Sequence, residues 1–113
     1  MVQWKVVKEF KVDNSVVFFE RLFEENWGYM QMRDYRTYEP TKHFRIVIAD
    51  VNQLGYANNC DTEAIMVSDL GIDYVNKLWY NLEHQTFTKD AFLKELKLDG
   101  NILTDLWGNK LHM

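Results

Sequence analysis

The sequence contains one cysteine, one proline and five isolated glycines among its 113 residues. Because Cys60 is alone, the chain can form neither an internal disulfide nor a zinc site with several cysteines. The glycines never cluster into the loop that cradles phosphates in nucleotide-binding proteins. No apolar run approaches the roughly 18 residues of a membrane span, and residues 1–5 do not resemble the start of a signal peptide. These absences predict a soluble, cytoplasmic protein without membrane contact.

Positive charge is missing from one long stretch. No lysine or arginine lies between Arg45 and Lys77, and this interval holds five acidic residues: Asp50, Asp61, Glu63, Asp69 and Asp73. The net charge of −4 is therefore uneven. Residues 1–49 hold 8 basic and 7 acidic residues, a net +1, whereas residues 50–113 hold 5 and 10, a net −5. An acidic balance weakens non-specific affinity for phosphate backbones, because few counterions are released on binding.

The hydrophobic fraction, 47%, is enough for one domain over residues 1–113 to bury an ordinary core without a metal or a disulfide. From Val2 to Val12, apolar and polar side chains alternate, which predicts a strand with one buried face. Asp13-Asn14-Ser15 then supplies turn and cap residues. Apolar residues recur at spacings of three and four after this turn, which predicts a helix over residues 15–27.

Further along the chain, the pattern predicts strands over residues 29–38 and 44–49, joined as an antiparallel hairpin by a turn at 39–42. A polar loop over 52–62, a fourth strand over 64–67, a helix capped by Ser68 or Asp69, and a short helix capped by Thr88 follow. Residues 102–107 are apolar enough to pack against the rest of the domain. The predicted fold class is α+β: an antiparallel sheet of three to four strands with helices mainly on one face, in the order β-α-β-β-(β)-α-α.

The sequence favours no catalytic or metal site. Residues 50–61 partly match a twelve-residue calcium loop, but Leu54 and Asp61 replace ligands that such a loop needs. His43, His84 and His112 are too far apart in sequence to form a helical metal-binding pair. Cys60 lies beside Asp61, whose charge disfavours a reactive thiolate. The sequence therefore predicts no enzyme, no metal and no cofactor.

The uneven charge favours a binding protein, and the expected partner is another protein. Carboxylates of Asp50, Asp61, Glu63, Asp69 and Asp73 could imitate phosphates and occupy the basic groove of a nucleic-acid enzyme. The hypothesis is an inhibitor or accessory protein of the kind that mobile genetic elements encode. The sequence is also compatible with a homodimer.

An alternative function depends on the stretch just before the acidic interval, where cations and aromatic rings alternate. Its residues are Arg33, Tyr35, Arg36, Tyr38, Lys42 and Arg45. Exposed tyrosines can stack on bases while arginines bind phosphates. The alternative is a module that binds RNA or another single-stranded nucleic acid through residues 29–45. Direct nucleic-acid binding is the less favoured hypothesis, because the chain is acidic overall.

Overall fold

A computed structural model describes residues 2–30, 33–50 and 64–111, apart from the side chains of residues 26–36. Four strands, β1 (Val2–Val12), β2 (Ser15–Met30), β3 (Arg33–Asp50) and β4 (Ile65–Leu70), precede two helices, α1 (Ile72–His84) and α2 (Lys89–Leu98). The strands form one antiparallel sheet in the order β1-β2-β3-β4. The predicted α+β fold class is confirmed. Neither helix is long and apolar enough to cross a membrane.

Both helices pack on one face of the sheet, which we call the inner face; the opposite face is the outer face. Alternate strand residues point inward and meet the apolar stripes of the helices, as period two and period 3.6 require. The buried core comprises Val12, Val17, Phe19, Phe44, Ile46, Ile48, Ile65, Val67, Leu70, Val75, Leu78, Phe92, Leu93, Leu96 and Leu103. The segment after α2 docks as predicted, because Leu103 is buried and Thr104 pairs with Met66 along β4.

The predicted helix over residues 15–27 is wrong, because this segment is strand β2. Val17 and Phe19 point into the core, whereas Val16 and Phe18 are half-buried on the outer face. Apolar residues therefore occur at both odd and even positions of the strand. Together they have the same spacing as the apolar stripe of a helix. Consecutive β-branched and aromatic residues fit a pleated sheet better than a helix. The predicted order changes accordingly to β-β-β-β-α-α.

The predicted hairpin between residues 29–38 and 44–49 is also wrong. Residues 33–38 and 44–49 belong to the same strand, β3, which continues through the expected turn at 39–42, whereas residues 29 and 30 end β2. The register shifts there: Arg21 lies opposite Phe44, but Phe23 lies opposite Pro40. Thr41 supports this irregularity, since its hydroxyl donates to the carbonyl of Leu22. A strand accepts a proline at such an irregularity, because the ladder there does not need its missing N–H.

The helix starts were predicted with mixed success. The hydroxyl of Thr88 accepts a hydrogen bond from the Ala91 N–H at 3.1 Å, so the predicted cap of α2 is confirmed. Ser68 and Asp69 do not cap α1. They belong to β4, which confirms the fourth strand, and α1 begins after Gly71 without a side-chain cap.

Helix α1 crosses the inner face from β4 towards β1. It begins directly after β4, and Glu83 near its other end pairs with Lys8 of β1. Between these points the Trp79 ring packs edge-on against Phe19 and Phe44, with centroid distances of 5.7 and 6.3 Å. The three rings fix the helix on the two central strands.

The sheet is much longer than the helical layer. Strand β3 alone has 18 residues, enough to run along most of the molecule, which measures 54 × 33 × 24 Å. The radius of gyration, 16.3 Å, exceeds the roughly 13 Å of a compact domain this size. We call the part beyond α1 the distal sheet: residues 2–6, 20–30 and 33–43. Within the described ranges, no helix covers it.

Trp79 offers a test of how α1 is held. Its indole N–H is buried without an acceptor among the described residues. We expect Trp79→Ala to lower the free energy of unfolding by about 3–5 kcal/mol, because it removes the ring contacts. Trp79→Phe should lower it by only about 1 kcal/mol, because a ring remains and an unsatisfied donor is removed. Urea unfolding measures both; equal losses would contradict this role of the ring packing.

Candidate binding surfaces

A β-bulge at Val7 determines which side chains the distal sheet exposes. Lys8 lies opposite Phe19, but Val6 lies opposite Glu20, so the bulge adds one residue to β1. Paired residues share a face, and an extra residue exchanges the faces. Lys8 and the even-numbered residues after it therefore point inward, whereas the even-numbered residues before the bulge point outward. The predicted single buried face of the first strand is wrong for this reason.

The outer face of the distal sheet consequently carries an apolar stripe. It consists of Val2, Trp4 and Val6 of β1, with Leu22 paired to Trp4 on β2. Val2 is 58% exposed and Val6 51%, and the other two side chains are half-buried. Contiguous exposed apolar side chains with a polar rim are typical of interaction sites.

Acidic side chains border this outer stripe. Glu24 and Glu39 are directly opposite each other on β2 and β3, and both are exposed. Across the described part of the chain, neither carboxylate has a cationic partner. Glu20 differs, since it accepts a 2.6 Å hydrogen bond from Nε of Arg45, whose guanidinium lies 4.3 Å from the Trp4 ring centroid. Like charges in direct cross-strand opposition are destabilising, so Glu24 and Glu39 do not serve the stability of the sheet.

The inner face of the distal sheet has the opposite character. Lys5 is directly opposite Arg21. The Lys5 ammonium lies 5.0 Å from the Phe23 ring centroid and 5.5 Å from that of Tyr38. The Arg21 guanidinium lies 4.9 Å from the ring centroid of Phe44, and its Nε donates to the Thr41 carbonyl. Cations and rings are therefore interleaved on this face.

The acidic residues singled out from the sequence do not form one described surface. Asp69 and Asp73 are exposed near the junction of β4 and α1, with Asp69 beside an open cavity of about 480 Å³. Asp50 lies at the far end of β3. Asp61 and Glu63 lie outside the described residues, as do Cys60 and most of the calcium-like loop.

Asp50 is already engaged within the fold. Its carboxylate accepts hydrogen bonds from the Ser15 hydroxyl at 2.8 Å and from the Lys89 ammonium at 2.9 Å. The hydrogen bond from Lys89, and then that from Ser15, lower the pKa of Asp50 below its ordinary value of 3.8. The bonds tie the ends of β2 and β3 to α2, so this carboxylate has a structural role.

The residues proposed for nucleic-acid binding are also divided between surfaces. Tyr38 points inward, where it meets Lys5, whereas Arg45 points outward against Trp4 and Glu20. Lys42 is exposed at the irregularity of β3. Strand β3 includes positions 33, 35 and 36, but the side chains of Arg33, Tyr35 and Arg36 lie outside the description.

No cluster of three or more metal-ligating side chains occurs within residues 2–30, 33–50 and 64–111. His43 and His84 are exposed and lie on separate elements, and the His84 ring stacks on Tyr80. Comparison with known proteins finds no matching family model, curated protein or solved structure.

The sequence reasoning missed the residues that face one another in the distal sheet. These are the Lys5–Arg21 pair inside and the Glu24–Glu39 pair outside. These residues are close because β2 pairs with β1 and β3, and the helix predicted over residues 15–27 excludes that pairing. A signal was present in Val6-Val7-Lys8, where the alternation of the first strand fails.

The Asp50 contacts predict a pH-dependent stability. Because the folded-state pKa is lowered, the charged carboxylate stabilises the fold above about pH 4, and this contribution is lost as pH falls through the folded-state value. We expect Asp50→Asn to lower the free energy of unfolding by about 1 kcal/mol at pH 7, since the side chain is partly exposed. The difference from wild type should shrink towards pH 3. Denaturant unfolding at several pH values measures this difference.

The control for this prediction is Asp69→Asn. Its free energy of unfolding should stay near that of wild type at every pH; the same pH dependence in both variants would contradict a specific role for Asp50.

Proposed function

We propose that this protein acts by binding a basic protein through the outer face of the distal sheet, and that it performs no catalysis. One observation carries the proposal: the stripe of Val2, Trp4, Val6 and Leu22 stays accessible and is bordered by Glu24 and Glu39, whose carboxylates have no cationic partner among the described residues.

The apolar stripe provides the driving force for association. A partner that covers these side chains removes apolar area from water, at roughly 25 cal/mol per Å². Trp4 is the natural anchor, because tryptophan is enriched among residues that dominate binding energy. The guanidinium of Arg45 lies against its ring and limits the rotamers available to it. Less side-chain entropy is then lost when the partner binds.

The carboxylates determine the chemistry of the partner. Glu24 and Glu39 repel each other in the free protein, and lysine or arginine side chains of a partner would relieve that repulsion. A strongly basic surface of this kind is typical of proteins that bind nucleic acids. Occupying such a surface would keep nucleic acid away from it. The proposed role is therefore that of an inhibitor or accessory protein for a nucleic-acid-binding partner.

Charge reversal with a matched control tests the proposal. Binding to a panel of purified nucleic-acid-binding proteins with basic surfaces would be measured by biolayer interferometry at about 50 and 200 mM salt. We expect the double variant Glu24→Lys with Glu39→Lys to lose at least about ten-fold in affinity, because like charges would meet. The double variant Asp69→Lys with Asp73→Lys changes the net charge equally, and it should keep wild-type affinity.

The apolar part of the surface has its own control. Trp4→Ala should weaken binding by about 30-fold or more, as expected for a central anchor. Trp107→Ala removes another tryptophan, 64% accessible, from the segment after α2, and should have no effect on binding. The proposal is contradicted if no panel protein binds at low salt. It is also contradicted if only the Asp69 and Asp73 reversals abolish binding, which would instead implicate the surface near the start of α1.

A further inference from the structure

Two cations on the inner face have no carboxylate partner among the residues that the structure describes. Elsewhere in the described structure, Lys8 pairs with Glu83, Arg45 with Glu20, Lys77 with Asp99, and Lys89 with Asp50. Lys5 and Arg21 have no such acidic contact in the same ranges. They are nevertheless directly opposite each other on β1 and β2. This like-charge pair destabilises the free sheet, and a bound anion would relieve the repulsion.

Aromatic rings accompany these cations. Phe23 and Tyr38 are half-buried, and both ring centroids lie within 6 Å of the Lys5 ammonium. An anionic group drawn to Lys5 would therefore arrive beside two rings. Contact with such a group would also move the ammonium away from the ring faces, at a cost of about two- to five-fold in affinity for each of the two exposed cation–π contacts.

We propose that the inner face of the distal sheet binds single-stranded nucleic acid, with Lys5 and Arg21 on phosphates and Phe23 and Tyr38 stacked on bases. This site is separate from the protein-binding outer face and does not rest on that function. Interleaved cations and rings on an open sheet suit a flexible strand, whose unpaired bases can turn towards the rings. The bases of a duplex are stacked on each other, and their faces cannot reach Phe23 or Tyr38.

Among the described side chains, the two carboxylates without a cationic partner in the distal sheet lie on the outer face. The carboxylates of Glu24 and Glu39 project from the other side of the sheet. Of the acidic groups beside the site, Glu83 is compensated by Lys8, and Glu25, opposite Tyr38, is also engaged. A strand lying across Lys5 and Arg21 would therefore meet a locally positive surface.

The experiment is a titration of fluorescein-labelled oligothymidylate and oligouridylate, each about twelve nucleotides long, followed by fluorescence anisotropy. The full-length protein should bind at least one of them, and the comparison distinguishes DNA from RNA. With two phosphate contacts, affinity should fall about seven-fold between about 50 and 200 mM salt. A duplex of the same length should bind more weakly.

Matched variants locate the site. Lys5→Gln with Arg21→Gln should abolish most of the binding and its salt dependence, whereas Lys94→Gln with Lys110→Gln, which removes two exposed charges elsewhere, should leave it intact. Lys5→Gln alone keeps the Arg21 contact with Thr41, so it tests the site even if the double variant unfolds. Tyr38→Leu should lose about five-fold or more, because it removes a stacking ring.

Several outcomes would overturn the proposal. They are no change in anisotropy at low salt, an equal loss of affinity in the Lys5/Arg21 and Lys94/Lys110 double variants, or tighter binding of the duplex than of the single strands. Glu24→Lys with Glu39→Lys should retain oligonucleotide binding. Failure of one surface is therefore distinguishable from failure of the other.

Discussion

The packing of Trp79 against Phe19 and Phe44 is the interaction on which the rest of the molecule depends. It fixes α1 across the two central strands, and α1 in turn closes the core over β2, β3 and β4. The same contact marks the limit of the two-layered part of the fold. Beyond it, the three longest strands continue as a sheet that the described helices do not cover, and that part presents two accessible faces.

The bulge at Val7 gives these two faces contrary chemistry. It directs Val2, Trp4 and Val6 outward and leaves Lys5 inward beside Arg21. Each face then contains a cross-strand pair of equal sign, Lys5–Arg21 inside and Glu24–Glu39 outside. Both pairs oppose folding, and the ordinary core at the other end of the sheet compensates for them. Residues that lower the stability of the fold in this way are expected at functional sites.

The sequence was sufficient to predict the fold class and α2. It was not sufficient to predict the strands of the first half of the chain and their pairing. Thr88 and the spacing of Phe92, Leu93 and Leu96 carry local signals that tertiary structure did not override. Within residues 15–27, apolar side chains lie on both faces of β2, with Phe18 half-buried on the outer face and Phe19 buried on the inner face, so period alone could not separate strand from helix. The acidic interval was visible as composition. The charged pairs of the distal sheet were not, because they depend on register and on a bulge.

The neighbour-to-neighbour order of the four strands also bears on how the protein is made. Each strand pairs with the one synthesised just before it, so the hairpins can assemble while the nascent chain is still growing. The apolar inner face of β2 and β3 remains exposed to solvent until Phe92, Leu96 and Leu103 have left the ribosome. During that interval an already paired sheet displays its future interior, which is the state that a molecular chaperone recognises.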